Sequence, residues 1–241
     1  MTDLSAFAGA TIALDLDGCL VDTAPDLIGT LNTILAEHGH AGLPLASART
    51  VVGHGARAMI SLGFDAVGET LDPGKMDRLF DRFIELYIAR IADESRPYPG
   101  VVEALERLAA AGAKLAVCTN KRTDLSLKLL DALDLTSRFV VIMGPDKAGF
   151  AKPDPRHLIA AIEAAGGSAE RSVMVGDSIS DVGAAVAAGV PVVAVSYGYS
   201  DVPPAELGAD TLIDSFAELP DVAARLLTRQ AAGRSEASSE A

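Results

Sequence analysis

The feature that most constrains the fold is a short apolar run that ends in two acids and a glycine. Ile12 to Leu14 are followed by Asp15 and Asp17, two positions apart, and by Gly18. The pattern predicts a buried β-strand, residues 11–15, that delivers carboxylates to its C-terminal end, where the chain turns tightly. Carboxylates at the end of a buried strand are costly unless opposite charge compensates them. A divalent cation is the natural compensator.

Beyond residue 98, short apolar runs alternate with helical patterns. With helices between them, the sequence predicts strands at 114–118, 139–143, 172–175, 191–195 and 211–213. Alternating strands and helices joined by short links imply a parallel sheet with helices on both faces. We therefore expect a Rossmann-like, three-layer α/β core.

Residues 23–95 follow a different pattern, because their apolar residues recur at helical spacing and no strand is convincing there. The stripe from Leu79 to Ile91 predicts a long helix, whose apolar face is either a domain core or a dimer face, with the core favoured. We expect an all-helical domain over 21–95, inserted into a core made of 1–20 and 96–227. The polar tail, 228–241, is predicted to be disordered.

The composition excludes several classes of partner. The net charge of −13 argues against binding to nucleic acid and against a polybasic membrane contact. A small anionic substrate would need a local cation or a metal. Two cysteines give no disulfide framework, and no signal peptide or membrane span is recognisable. We expect a cytoplasmic protein that is a monomer or a homodimer.

Polar side chains also follow the other predicted strands. Ligands bind at the carboxyl ends of the strands in open α/β sheets, so we expect these side chains to meet the two acids of the first strand. Thr119 and Asn120 follow the second strand, and Asp177 and Ser178 follow the fourth, with Asp181 at the start of the next helix. Lys152 lies between the third and fourth strands. Each signal alone fits a turn, a helix cap, a calcium-type loop or a surface lysine. Their joint placement favours catalysis.

Taken together, these residues resemble the four motifs of the haloacid-dehalogenase-like hydrolase superfamily, in its phosphatase branch. The motifs, in order, are Asp15-Leu-Asp17-Gly-Cys-Leu-Val-Asp22-Thr23, Val117-Cys-Thr119-Asn120, Lys152-Pro-Asp-Pro and Gly176-Asp177-Ser-Ile-Ser-Asp181. The helical insertion matches the cap domain that members carry after the first motif. The resemblance therefore covers most of the chain.

The resemblance implies distinct roles for the acids. Asp15 would attack phosphorus and form an aspartyl-phosphate. Asp17 would protonate the leaving alcohol and then deprotonate the attacking water. Mg²⁺ would lie between Asp15, the backbone carbonyl of Asp17 and Asp177, because hard oxygen ligands suit this ion.

The resemblance also implies roles for the remaining motif residues. Lys152 would balance the carboxylates and the transferring phosphoryl group. Thr119 and the Asn120 amide would bind phosphoryl oxygens. Ser178 and Asp181 would support the lysine or the metal's waters from behind the ligands.

A loop of the helical insertion bears on the substrate. The segment 51–57 is similar to the cap loop of the superfamily's phosphoglycolate phosphatases. Gly53 and Gly55, on either side of His54, would let backbone amides approach a small anion. Arg57 would bind a substrate carboxylate through its forked guanidinium. Flexible-loop and surface-charge interpretations stay open for these residues.

Three residues of the first motif have no settled role. Cys19 stands where the family usually has threonine or valine, and one hypothesis is that its oxidation would block the site. Asp22 and Thr23 are equally compatible with hinge support and with substrate contact.

The expected activity is Mg²⁺-dependent hydrolysis of a small phosphate monoester, foremost 2-phosphoglycolate to glycolate and phosphate. Alternatives are a phosphatase for another small ester (a sugar phosphate or a nucleotide), a sugar-phosphate mutase and a non-catalytic binding protein. The second acid, Asp17, argues against dehalogenation and phosphonate cleavage, which need no leaving-group acid. The complete carboxylate set argues against a binding protein.

Overall fold

A computed structural model describes residues 4–239, and a six-stranded parallel sheet lies at its centre. In chain order the strands are β1 (Thr11–Leu14), β2 (Val21–Asp22), β3 (Arg96–Pro97), β4 (Lys114–Cys118), β5 (Val141–Met143), β6 (Ser172–Gly176), β7 (Val192–Val195) and β8 (Thr211–Ile213). The sheet order is β5-β4-β1-β6-β7-β8. The first strand is therefore central, with Leu14 in register with Val117 and Val175.

Ten α-helices accompany the strands within residues 4–239. They are α1 (Ala24–Glu37), α2 (Leu45–Ala48), α3 (Ala56–Ala66), α4 (Pro73–Ala89), α5 (Val101–Ala110), α6 (Thr123–Ala132), α7 (Pro145–Ala148), α8 (Pro155–Ala164), α9 (Ile179–Ala188) and α10 (Leu219–Ser239). None of these described helices combines the length and the apolar composition that a membrane crossing requires.

Both faces of the sheet are covered. Successive strand residues point to opposite faces. Ile12 and Leu14 of β1 join an apolar cluster with α5, α6 and α10, whereas Ala13 joins a cluster with α8 and α9. Strands buried on both faces read as continuous apolar runs, as they do here. The three-layer α/β fold is as predicted.

Residues 24–89, which we call the helical insertion, contain α1 to α4, and α1, α3 and α4 supply most of a separate apolar cluster. The stripe on α4 lies inside it, with Leu79, Phe83 and Tyr87 buried and Ile88 37% exposed. The chain enters and leaves this region through β2 and β3, which pair antiparallel, Asp22 opposite Arg96. These two-residue strands are too short to show a sequence period.

Two predicted segments differ from the structure. Residues 43–52 lie within the region predicted to be helical, but they form only the short α2 and the start of a 3₁₀ helix, Arg49–His54, because Thr50 to Val52 are β-branched and a glycine follows. The tail expected to be disordered from residue 228 is helical to Ser239. Alanine, arginine and glutamine are strong helix formers, and the preceding turns of α10 are anchored in the core. Residues 240–241 lie outside the described part.

Candidate active site

The carboxyl ends of β1, β4 and β6 bring polar side chains to one edge of the sheet. Asp15 follows β1, Thr119 follows β4 and Asp177 follows β6. They line one cavity of about 270 Å³ that also contacts the helical insertion. Further residues of the predicted set that line this cavity are Asp17, Gly53, His54, Gly55, Asn120, Lys152 and Ser178.

Lys152 is the buried cation of this edge. Its Nζ lies 2.8 Å from Asp15 Oδ1, and it donates to Asp181 Oδ1 at 2.6 Å and to the Cys118 carbonyl at 2.7 Å. Burial alone would lower the pKa of Lys152, but the two carboxylates raise it above its ordinary value. The side chain is therefore an ammonium that holds two acids at once.

Asn120 positions that lysine. Its side-chain oxygen accepts from the Lys152 backbone N–H at 2.8 Å, and its side-chain nitrogen donates to the Lys152 carbonyl at 3.0 Å. Both ends of the side-chain amide are thus engaged with the backbone of Lys152. A contact of Asn120 with a phosphoryl oxygen would fall to its backbone N–H.

Three buried carboxylates meet at this edge with too little positive charge. One oxygen each from Asp15, Asp177 and Asp181 lie within 4.8 Å of one another. Burial, opposed by Lys152 and helped by Asp181, raises the pKa of Asp15 to about 6. Burial, with Asp181 and Asp15, raises the pKa of Asp177 well above its ordinary value. Three carboxylates that share a single lysine carry excess negative charge, and their oxygen atoms are suitable ligands for a divalent metal.

Asp181 fits a supporting position better than direct metal contact. Its Oδ2 accepts hydrogen bonds from the backbone N–H groups of Asp177 and Ser178 at 3.2 and 3.0 Å and from the Ser178 hydroxyl at 2.7 Å. Its Oδ1 accepts from Lys152. Ser178 and Asp181 also form the capping box of α9, which fixes both side chains at the start of the helix. Asp15 and Asp177 are therefore the carboxylates that could hold a divalent metal directly.

Asp17 is paired with a lysine that the sequence analysis missed. The Nζ of Lys121 lies 3.1 Å from both carboxylate oxygens of Asp17 and 4.7 Å from the ring centroid of Tyr87, on α4. Burial alone would lower the pKa of Lys121, but Asp17 and Tyr87 raise it. The Asp17 carboxylate is thus turned to an ammonium rather than to the carboxylate cluster. The signal was available, because Lys121 directly follows Thr119 and Asn120.

Two glycines give the Asp177 carboxylate its space. Gly18 has φ +85°, and a Cβ there would lie 2.5 Å from Asp177 Oδ2. A Cβ on Gly198 would overlap the Asp177 side chain itself. The turn glycine after the first two acids therefore serves a close approach as well as a backbone conformation.

The helical insertion contributes a loop but not the expected arginine. Gly53, His54 and Gly55 line the cavity, and His54 Nε2 lies 3.5 Å from Asp201 Oδ2. Arg57 is not brought to the cavity. It lies near the start of α3 and faces α4, where its guanidinium donates to Asp77 at 2.8 Å and lies 4.5 Å from the ring centroid of Phe80.

Cys19 is a core side chain. It is fully buried among apolar residues, and burial raises the pKa of its thiol well above the ordinary value, with Asp15 and Asp177 acting in the same direction. A protonated, inaccessible thiol is unreactive. The geometry therefore gives no support to the oxidation hypothesis.

The fold and this edge together define a class of protein: a parallel α/β enzyme core with an acidic, metal-competent cluster and a helical insertion after its first strand. The chain belongs to the haloacid dehalogenase-like hydrolase family, whose model matches residues 12–195.

Relatives with known names share nearly the whole chain. The phosphoglycolate phosphatase of Caulobacter vibrioides is 54% identical over 228 residues, which are 95% of this chain and 96% of the relative. The N-acetylmuramic acid 6-phosphate phosphatase of Pseudomonas aeruginosa is 35% identical, over 90% of this chain and 95% of that one. A solved structure from Haemophilus somnus, described as a predicted phosphoglycolate phosphatase, is 30% identical with a TM-score of 0.82, over 88% of this chain and 97% of that one.

Proposed function

We propose that this protein is a Mg²⁺-dependent phosphatase that hydrolyses 2-phosphoglycolate to glycolate and phosphate. The observation that carries the proposal is the pairing of Asp15 with Lys152, 2.8 Å apart, beside Asp177 in the same cavity. The cavity, at about 270 Å³, is smaller than the roughly 300–1,000 Å³ typical of drug-sized ligands, and thus favours a small substrate. The name of the Caulobacter relative supports the choice of ester.

The proposed reaction has two steps. The Asp15 carboxylate attacks phosphorus and the ester P–O bond breaks, which leaves an aspartyl-phosphate and an alkoxide. For this step Asp17 must leave Lys121 and carry a proton, which it donates to the alkoxide so that glycolate is released. Asp17 then takes a proton from water, which attacks the aspartyl-phosphate and frees Asp15.

Other residues of the edge would control charge and position. When bound by Asp15, Asp177 and the Asp17 carbonyl, Mg²⁺ supplies charge neutralisation between an anionic nucleophile and an anionic phosphate. Lys152 offsets the negative charge of the cluster, and Thr119 together with the Asn120 backbone N–H would hold phosphoryl oxygens. These roles are supported by the burial of both side chains in the site, since Lys152 is 4% exposed and Thr119 is 2% exposed.

The helical insertion would act as a cap over this edge. Its loop at 53–55 lines the same cavity as Asp15, and the chain joins it through two adjacent passages, β2 and β3. Two adjacent connections allow rotation of the insertion as a unit, which would admit the substrate and then exclude water.

A panel of esters tests the proposal. Phosphate release is measured with and without Mg²⁺ for 2-phosphoglycolate, a hexose phosphate, a nucleotide and N-acetylmuramic acid 6-phosphate. Preferred turnover of 2-phosphoglycolate, lost in Asp15→Asn, is expected. Asp131→Asn, which changes an exposed aspartate of α6 outside the cavity lining, serves as the matched control. No turnover of any ester would contradict the enzyme assignment, and conversion without phosphate release would indicate a mutase.

A second candidate substrate is a sugar phosphate that carries a carboxylate. The observation that favours it is the 35% identity with the N-acetylmuramic acid 6-phosphate phosphatase. A higher kcat/KM for that ester than for 2-phosphoglycolate in the same panel would replace the substrate and leave the chemistry of Asp15 and Asp17 unchanged.

A further inference from the structure

Tyr199, in the loop after β7, touches the carboxylate site and the helical insertion at once. Its backbone N–H donates to Asp177 Oδ2 at 2.6 Å. Its side chain is only 2% exposed and belongs to the apolar cluster of the helical insertion rather than to a cluster of the sheet. One residue of a loop of the core therefore contacts both Asp177 and the apolar cluster of the helical insertion.

The Tyr199 hydroxyl closes the start of α1. It accepts from the backbone N–H groups of Thr23 at 2.7 Å and Ala24 at 2.9 Å, and it donates to Asp22 Oδ1 at 2.6 Å. A phenol offers one donor and two acceptor sites, so all three are used. Thr23, the N-cap residue of α1, makes no side-chain capping bond. A tyrosine that is 176 residues away in the sequence thus accepts hydrogen bonds from backbone N–H groups at the start of α1, where a local side chain would usually be the acceptor.

The contact continues into the helical insertion. Asp22 Oδ2 accepts from Arg49 at 2.9 Å, and the Arg49 guanidinium carbon lies 5.0 Å from the centroid of the Tyr199 ring. Asp22 is also the last residue of β2, where the chain leaves the sheet. Arg49, Asp22 and Tyr199 form one connected group between the helical insertion and Asp177.

We propose that Tyr199 is a positioning residue that couples the orientation of the helical insertion to the geometry of the Asp177 carboxylate. A rotation at 22–24 either breaks the bonds of the Tyr199 hydroxyl or displaces Tyr199, whose backbone holds Asp177. Because such a coupling is reciprocal, cation binding at Asp177 and one orientation of the insertion favour each other. Asp22 and Thr23 then serve as hinge supports and not as substrate contacts.

The inference rests on the proposed function only through the metal at Asp177, and its test needs no substrate. Spin labels are placed on Asp81→Cys, in α4, and Lys128→Cys, in α6, since both side chains are exposed and the two native cysteines are buried. Label distances are measured by pulsed electron paramagnetic resonance with and without Mg²⁺. Hydrogen exchange reports on the backbone amides of residues 23 and 24.

Tyr199→Phe removes the hydroxyl and keeps the ring and the backbone N–H. In the parent protein, Mg²⁺ is expected to narrow the distribution of distances between the two labels. It should also slow hydrogen exchange of the backbone amides of residues 23 and 24 about tenfold. In Tyr199→Phe both responses are lost, and Mg²⁺ affinity by calorimetry falls about threefold or more. Tyr197→Phe is the matched control, since its hydroxyl donates to the Cys19 carbonyl and not to the start of α1. It keeps both responses.

The coupling would be overturned if Tyr199→Phe kept both responses to Mg²⁺, or if both tyrosine variants lost them equally. It would also be overturned if Mg²⁺ did not change the label distances in the parent protein. If Tyr199→Phe does not fold, Arg49→Met is used instead, because it removes the hydrogen bond from Arg49 to Asp22. The label distances in this variant are expected not to respond to Mg²⁺, and an unchanged response would overturn the inference. A parent that responds to Mg²⁺ but hydrolyses no ester keeps the coupling and refutes only the proposed function.

Discussion

At the scale of single residues, the site stores unfavourable charge that a cation would relieve. Asp15, Asp177 and Asp181 are buried side by side, and the pKa values of Asp15 and Asp177 are raised above their ordinary range. Lys152 compensates part of this charge. The metal-free protein should therefore be less stable at neutral pH than at mildly acidic pH, as far as this cluster is concerned.

The pH dependence of stability tests that expectation. The pKa of Asp15 rises from 3.8 to about 6 on folding, so the folded state binds the proton more tightly than the unfolded state. The stability contributed by protonated Asp15 is complete below about pH 3.8 and is lost as the pH rises to about 6. Roughly two pKa units correspond to about 3 kcal/mol.

Urea unfolding of the metal-free protein between pH 4.5 and 7.5 measures the effect. The free energy of unfolding of the parent is expected to fall relative to that of Asp15→Asn up to about pH 6 and to level off above it. Added Mg²⁺ should restore more stability to the parent than to the variant. A difference between the two proteins that does not change with pH would contradict the role of Asp15.

A second prediction separates two reasons for glycine at position 18. Gly18 and Gly39 both have positive φ, +85° and +80°, but only at Gly18 would a Cβ meet neighbouring atoms, those of Asp177 and Tyr199. Positive φ alone costs an alanine about 1–2 kcal/mol. Gly39→Ala should lose that much free energy of unfolding and keep its Mg²⁺ affinity. Gly18→Ala should lose more, and its Mg²⁺ affinity by calorimetry should fall at least about tenfold. Equal effects would show that Asp177 tolerates the added methyl group.

At the scale of elements, α10 shows how composition can mislead. The sequence from residue 228 is polar and was predicted to be a disordered tail. Leu226 and Leu227, just before it, lie in the main apolar cluster, and Gln230 donates to the Ala169 carbonyl at 3.0 Å. Leu226, Leu227 and Gln230 therefore anchor this part of the helix to the core. The residues that follow include alanine, arginine and glutamate, whose helix propensity favours continuation of the helix.

Truncation tests where the helix becomes necessary. A chain ending at 232 keeps both leucines and Gln230, and its free energy of unfolding should change by less than about 0.5 kcal/mol. A chain ending at 225 loses two buried leucines and should lose about 3–6 kcal/mol. Urea unfolding compares the two proteins. A large loss in the longer chain would mean that the last turns pack against the core.

Strands and helices of the core were predictable because each carries its own period. β4 and β8 have the predicted bounds, and the other sheet strands differ by one or two residues. β2 and β3 were not predictable, because two residues cannot show a period and their pairing joins positions 22 and 96. The 3₁₀ helix at 49–54 was missed because short helices carry no distinct pattern.

At the scale of the whole molecule, the residues that sit at strand ends were predictable and those that act across the chain were not. Asp15 and Asp177 meet because parallel strands end at one edge, and Lys152 reaches them from the loop before α8. The partnership of Lys121 with Asp17 and that of Tyr199 with Asp177 depend on loop conformations, which no local pattern specifies. The position of Arg57 depends on how α3 packs against α4, and the sequence motif could not give it.

The central place of β1 has a consequence for synthesis of the chain. The strand that ends at Leu14 pairs on one side with β4 and on the other with β6, whose last residue is Gly176. At about 5–20 residues per second, the ribosome needs on the order of 10–30 s to make the chain between these points. During that time β1 is an apolar strand without its second neighbour, and it can attract other chains. The strand that presents Asp15 is therefore made before both of its neighbours in the sheet, and it is enclosed only when β6 has been made.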